Sequence, residues 1–204
     1  KVTKELGDLI DIVCTINEAN LTACFAHSFQ SYPENGMKAI MPFIKEAAEE
    51  CGSTLENFGP FLFGHPFKIR DCMMEAHVKS VPIIKSILNN NQPVGVTLSI
   101  MDYQAAEGGE KVRDQAYAES VDCCLDQVTN DDFVGVQMYT RHTYGPDGII
   151  KPKADDPNML VMGYEYYPES LENVVRYVSS KVKTPIMITE NGIGTDDDNQ
   201  RIEY

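Results

Sequence analysis

Four short apolar runs rich in β-branched residues recur along this chain, and helical stretches separate each run from the next. This alternation predicts a βαβαβαβ unit, whose strands form a parallel sheet joined by right-handed crossovers. The predicted strands cover residues 9–16, 93–100, 133–138 and 185–190, and the main predicted helices cover 37–51, 67–90, 110–128 and 168–182. Pro82 lies inside the second of these helices and is expected to kink or split it. The long 140–167 connection, rich in Gly, Pro and Asp, is expected to be a loop.

Two of the predicted strands end in a glutamate. The last run is followed by Glu190, Asn191 and Gly192, and the first run ends at Asn17 and Glu18. In parallel α/β folds the carboxyl ends of the strands carry the ligand and the chemistry, and in a barrel these ends converge on one pocket. For Glu190 the alternative interpretation is a solvated strand-end glutamate beside a glycine turn, and the Asn-Glu pair at 17–18 is a weak signal when taken alone. Two convergent carboxylates are what hydrolysis of a glycosidic bond requires.

The two glutamate motifs, together with two intervening segments, resemble the signature sequences of glycoside hydrolase family 1, the β-glucosidase family. The family's acid/base motif comes first in the chain and its nucleophile motif later, as here. The matching segments are Thr15-Ile16-Asn17-Glu18, residues 132–139 (DFVGVQMY), residues 162–169 (MGYEYYPE, with Tyr164 at the family's Trp position) and Ile188-Thr189-Glu190-Asn191-Gly192.

This resemblance implies a fold and a size. The family fold is a (β/α)₈ barrel, which takes about 250 residues or more. The 204 residues here supply about four strands, matched to strands four to seven of the family. We therefore expect a partial TIM barrel of the α/β class, with residues 1–204 forming one incomplete catalytic domain from the centre of a longer chain.

The resemblance also implies roles for individual residues. Glu190 is expected to be the nucleophile and Glu18 the general acid/base of a retaining mechanism, with the charge of Glu190 raising the pKa of Glu18. Asn17 is expected to contact the sugar 2-hydroxyl, with a strand-end cap as the alternative. Tyr139 is expected to orient the nucleophile, with a half-buried packing role as the alternative.

Three positions depart from the family pattern. Gln137 stands where the family has Asn, Met138 where it has Tyr, and Ala19 where it has Pro. A glutamine retains the amide on a longer side chain, so Gln137 is still expected to bind substrate. The departures therefore bear on which sugar is bound more than on the class of reaction.

The amino-acid composition restricts the kinds of molecule that this protein is expected to bind. The net charge of −14 and a pI near 4.6 argue against nucleic acid, because phosphates would be repelled. No apolar run approaches a membrane span. A small neutral carbohydrate is the expected partner, with no metal and no organic cofactor. The oligomeric state is left open.

The cysteines, one histidine and one acidic run favour structural roles. The six cysteines lack zinc spacing and are expected to be buried free thiols in a reducing, cytoplasmic compartment. The chain has no initiator Met, so this expectation covers only the residues given. His77 falls mid-helix and is expected to be a core or surface residue rather than a catalytic one. The acidic run 196–198 is expected to be a solvated loop.

Two other functions remain open at this point. Another retaining glycosidase of the same barrel clan, such as a cellulase-type enzyme, also places Asn-Glu after strand four and Glu after strand seven. A non-catalytic half-barrel that folds only with a partner or by self-association is the alternative from a different class, since an open parallel sheet leaves unpaired edges.

Overall fold

A computed structural model describes residues 1–28, 34–60, 64–88, 91–153 and 155–204 of the chain. Its central feature is a four-stranded parallel sheet in which the strands follow one another in chain order, as the sequence predicted. The strands are β1 (Val13–Cys14), β2 (Val94–Ser99), β4 (Phe133–Met138) and β7 (Ile186–Asn191). This curled sheet with its helical connections is half of a (β/α)₈ barrel.

Helices lie before, between and after these strands. They are α1 (Val2–Leu6), α2 (Leu21–Ser28), α3 (Glu34–Glu50), α4 (Pro66–Lys85), α5 (Glu110–Tyr117), α6 (Cys123–Leu125), α7 (Ser170–Lys181) and α8 (Asp198–Glu203). A 3₁₀ turn, Gly7–Leu9, follows α1, and a π-helical turn, Ala118–Asp122, joins α5 to α6. The helix expected at 110–128 is therefore one interrupted helical stretch.

The core lies between the sheet and the helices. Strands β2 and β4 are buried along their whole length, and α7 contributes Val174 and Val178 to the same cluster. Strands buried on both faces read as continuous apolar runs, which is why these two were predicted almost to the residue.

Two predictions about regular structure were wrong. The first run forms a strand only at Val13–Cys14, because Gly7–Leu9 is a 3₁₀ turn and the chain pairs with β2 for two residues. Helix α4 is not split at Pro82, and it ends at Lys85, within one turn of this proline and short of the predicted residue 90.

The 140–167 connection was also predicted wrongly, because it contains two strands. β5 (Arg141–Gly145) and β6 (Gly148–Ile149) form a hairpin, and β5 pairs in parallel with β3 (Asp102–Ala105). β3 and β5 continue the directions of β2 and β4 beyond the carboxyl edge of the main sheet, where Asp102 donates its N–H to the Thr140 carbonyl. The site edge of the sheet is thus extended by a second, smaller sheet.

His77 is buried on α4, as a structural residue would be. Its Nδ1 lies 2.8 Å from the Thr15 hydroxyl and its Nε2 lies 3.0 Å from an Asp131 carboxylate oxygen. These contacts fasten α4 to the residue after β1 and to the loop before β4. Neither predicted glutamate contacts it.

The cysteines and the acidic run differ in part from expectation. All six thiols are free, but Cys14, Cys51 and Cys72 are exposed rather than buried. Asp196 and Asp197 lie in an exposed loop as expected, and Asp197 caps α8 by accepting a hydrogen bond from the Asn199 N–H at 2.9 Å, so only Asp198 belongs to a helix. Within the described ranges, no helix combines the length and apolar character that a bilayer crossing requires.

Candidate active site

Glu18 is held in place by Thr97 of the neighbouring strand. The Glu18 N–H donates to the Thr97 hydroxyl at 3.3 Å, and the Ala19 N–H donates to the Thr97 carbonyl at 3.3 Å. Glu18 has φ 48°, in the left-handed region that non-glycine residues rarely adopt. Such backbone conformations cost about 1–3 kcal/mol and cluster at functional sites.

A β-bulge positions Glu190. Ile188 lies opposite Val136, but the next pair along β4 and β7 is Gln137 with Glu190, so Thr189 is the extra residue. A bulge of this kind re-aims the side chains that follow it. Its effect here is to place the Glu190 carboxylate beside Gln137.

Gln137 connects the two motifs. This buried side chain uses one amide nitrogen to donate both to the Asn17 carbonyl oxygen at 2.8 Å and to the Glu190 carboxylate at 2.6 Å. Thr97 donates to the same Asn17 oxygen at 3.2 Å. The ends of β1, β4 and β7 are therefore joined by one hydrogen-bond network.

Tyr139 completes this network. Its hydroxyl donates to the second carboxylate oxygen of Glu190. Burial first, then the hydrogen bond to Glu190 and the charge of Glu190, raise the pKa of Tyr139 well above its ordinary value. The Tyr139 ring stacks on Tyr164, with centroids 6.4 Å apart and an interplanar angle of 28°.

The Glu18 carboxyl favours its protonated form. Partial burial raises its pKa, the negative charge of Glu190 raises it further, and the nearby Ser99 hydroxyl opposes both by stabilising the anion. The direction is the one expected from the sequence, but burial contributes more than the charge of Glu190. A carboxyl that holds its proton beside one that carries charge is the division needed for acid and nucleophile.

The structure brings all five predicted site residues together. They are Asn17, Glu18, Gln137, Tyr139 and Glu190. Sequence reasoning missed Thr97, which hydrogen-bonds to Asn17 and to the Glu18 backbone, and Ser99, whose hydroxyl lies near the Glu18 carboxyl. Both were read as part of an apolar strand, although small or polar side chains at 95, 97 and 99 occupy one face of β2.

Among the residues that the structure describes, no group of three or more His, Cys, Asp or Glu side chains is arranged to hold a metal ion. The polar groups that contact Glu190 are the Gln137 amide nitrogen and the Tyr139 hydroxyl, and both donate to its carboxylate.

Comparison with solved structures identifies the family. The β-glycosidase BGL167 matches 98% of this chain with a TM-score of 0.83 and 35% sequence identity. The β-glucosidase 1317 matches the same share with a TM-score of 0.83 and 29% identity. The chain belongs to the β-glucosidase family. A hyperthermophilic β-glucosidase from Pyrococcus furiosus, with a TM-score of 0.64 and 24% identity over 98% of the chain, shares this family's fold.

The chain corresponds to less than half of the length of each of these structures. The chain spans 48% of the length of each of the first two structures and 41% of the third. No protein-family model and no curated protein matches the sequence. The family assignment therefore combines the fold with the glutamate motifs.

Proposed function

We propose that the protein carrying this chain is a retaining β-glycosidase that hydrolyses β-glucosides or related neutral β-sugars. The observation that carries the proposal is the network in which Gln137 joins Asn17 to Glu190, since it unites the two glutamate motifs at one edge of the sheet. Support comes from two similar structures described as a β-glycosidase and a β-glucosidase.

The proposed reaction uses the two carboxyl groups in two steps. Glu190 attacks the anomeric carbon while Glu18 gives its proton to the leaving oxygen, which forms a glycosyl-enzyme. Glu18 then takes a proton from water, and the resulting attack releases the sugar with its configuration retained. The raised pKa of Glu18 suits it to begin as the acid.

Gln137 is proposed to contact the sugar as well as the nucleophile. Its carbonyl oxygen is buried and accepts no hydrogen bond within the described part of the chain. A buried acceptor without a donor is costly, and a sugar hydroxyl is a suitable donor. Asn17 accepts a hydrogen bond from Gln137 and is exposed to solvent.

The test is hydrolysis of a chromogenic β-glucoside by the full-length protein and by two variants. Glu190→Gln removes the nucleophile and Glu18→Gln removes the proton donor, and we expect each to lower kcat by about 10²-fold or more. A small anion such as azide should restore turnover to a variant that lacks the acid/base, because the anion attacks the glycosyl-enzyme without a proton acceptor. Unchanged kcat in Glu190→Gln would contradict the assignment.

The same assay addresses the cellulase-type alternative. Activity confined to long β-glucans, with none on a simple aryl β-glucoside, would favour that clan relative over a β-glucosidase. The two similar structures with identity above 25% argue for the β-glucosidase.

A further inference from the structure

Four hydrogen bonds join Glu165 to Thr140 and Arg141, at the start of β5. Arg141 donates from Nε to one carboxylate oxygen at 2.8 Å and from a terminal nitrogen to the other at 2.5 Å. The Thr140 hydroxyl donates to the Glu165 carbonyl at 3.0 Å and accepts from the Glu165 N–H at 3.1 Å. Both the side chain and the backbone of Glu165 are therefore fixed to the two residues that follow Tyr139.

Arg141 is itself held on its other sides. Its guanidinium lies 3.8 Å above the Tyr167 ring and donates to the Gln104 side chain at 3.2 Å. Forked guanidinium–carboxylate pairs fix geometry as well as charge, and stacking on an aromatic ring orients the plane of the fork. The segment 164–167 is thus bound to β5 through Glu165 and Tyr167, which both contact Arg141.

This arrangement places one aromatic ring against another beside the nucleophile. Tyr164 immediately precedes Glu165, and Tyr139 immediately precedes Thr140. Fastening Glu165 to Thr140 brings the two tyrosines into their stacked contact, and Tyr139 is the residue that donates to Glu190. The contacts form a continuous path from Arg141 to the Glu190 carboxylate.

We propose that Arg141, Thr140 and Glu165 form a positioning clamp that sets the Tyr139 hydroxyl against Glu190. The effect of this clamp on catalysis rests on the proposed function. Its structural effect, which is to position the Tyr139 side chain, does not. None of the three residues touches the reacting atoms, so they are positioning residues. Their side chains act on the reaction only through Tyr164 and Tyr139.

The Arg141–Glu165 ion pair is more buried than an ordinary surface ion pair. The Arg141 and Glu165 side chains are 25% and 18% exposed, whereas the Arg176–Glu172 pair on α7 is 76% and 66% exposed. Exposed pairs of that kind contribute little to stability. The Arg176–Glu172 pair is therefore a matched control with the same two residue types and a short contact, away from Tyr139.

The first experiment is a double-mutant cycle in the full-length protein, using Glu165→Gln and Tyr139→Phe. If the clamp acts through Tyr139, Glu165→Gln should lower kcat/KM about tenfold in the wild-type background, since a hydrogen bond to an ionised group is worth at least that factor. It should change kcat/KM by less than about twofold once Tyr139 is Phe, because interacting residues are not additive. Glu172→Gln should have no effect in either background.

The second experiment does not require turnover. Tyrosine labelled with ¹³C at Cζ reports phenol ionisation, and the Tyr139 resonance is assigned by its loss in Tyr139→Phe. Loss of the contact with Glu190 removes the hydrogen bond that raises the pKa of Tyr139 and weakens the effect of the Glu190 charge, so Glu165→Gln should make Tyr139 titrate at lower pH, while Glu172→Gln should leave the titration unchanged.

These measurements separate the clamp from the glycosidase proposal. Absence of hydrolysis by the wild type would end the glycosidase proposal and leave the titration to decide the clamp. A folded Glu165→Gln variant with an unchanged Tyr139 titration would overturn the clamp. If Glu165→Gln does not fold, Arg141→Lys keeps the charge but not the fork, and the same titration shift is expected in it.

Discussion

Glu18 combines two features that oppose folding. Its backbone has a positive φ of 48°, and burial together with the charge of Glu190 disfavours its ionised carboxyl. Thr97 supplies the hydrogen bonds that hold this conformation. A residue that breaks local rules and is fixed by its neighbours is typical of a functional site, where stability is exchanged for a reactive geometry.

The raised pKa of Glu18 gives a pH-dependent prediction for stability. A carboxyl whose pKa is higher in the folded state binds its proton more tightly there, so folding loses stability as pH rises through that pKa. Glu18→Gln cannot ionise and avoids this loss. We therefore expect Glu18→Gln to be more stable than wild type near neutral pH, with the gain vanishing below the pKa of the unfolded carboxyl.

Urea unfolding of both proteins across the acid-to-neutral range measures this difference. Glu75→Gln is the control, because the pKa of Glu75 is lowered by its hydrogen bond from Lys79 and the sign reverses. That substitution should give no gain at neutral pH. A Glu18→Gln variant that is less stable than wild type at neutral pH would contradict the prediction.

At the residue level, the sequence was enough to predict the two glutamates of the site but not the side chains that lie around them. Glu18 and Glu190 could be predicted because each follows an apolar run, where the change of character is visible. Thr97 and Ser99 lie inside such a run, and only their two-residue spacing marks the face that they share. Glu165 lies in the 162–169 segment that resembles the family, but nothing in the sequence marks Arg141 as its partner, since the two are 24 residues apart and meet only in the folded structure.

Among the elements, β2 and β4 are the most predictable and β5 and β6 the least. A strand buried on both faces is apolar throughout, which explains the near agreement for β2 and β4. β5 carries Arg141, His142 and Thr143 and is only partly buried, so the polar 140–167 segment was read as a loop. β5 pairs with β3 because these two strands follow β4 and β2, which already lie side by side, and not because of the composition of β5.

Gly135 in β4 lies where three strands meet beneath the site. A Cβ built on Gly135 would come within 2.6 Å of the Thr97 Cγ2 and 3.0 Å of the Thr189 Cγ2. Both threonines are β-branched and have little rotamer freedom with which to move away. We expect Gly135→Ala to lower the free energy of unfolding by about 1–3 kcal/mol, the usual cost of overpacking.

Displacement of Thr97 or Thr189 should also lower activity in Gly135→Ala. Thr97 holds Asn17 and Glu18, and Thr189 is the bulged residue before Glu190. Thermal unfolding and kcat/KM on one preparation measure both effects. Gly192→Ala is the stability control, because a Cβ there meets nothing within 4 Å, and its unfolding should match wild type. Equal stability of the two variants would show that β4 accommodates the methyl group.

On the scale of the molecule, the sheet has two strands that pair on one side only. Within the described residues, β1 pairs only with β2 and β7 only with β4. β7 carries an exposed Ile188, and Ile12 beside β1 is exposed as well. The family resemblance predicted the half-barrel correctly, since the order of the two motifs determines which strands are present.

These two open edges give the prediction for the 204-residue chain produced by itself. Unpaired strand edges with apolar side chains pair with other chains, so we expect self-association despite the net charge of −14. Light scattering after gel filtration should show species larger than the 22.8 kDa monomer. Ile188→Lys places a charge on the β7 edge and should shift the distribution toward monomer, whereas Val161→Lys, at an apolar and even more exposed residue outside a strand, should not. A monodisperse monomer of the unaltered chain would show that the half-barrel closes its own edges.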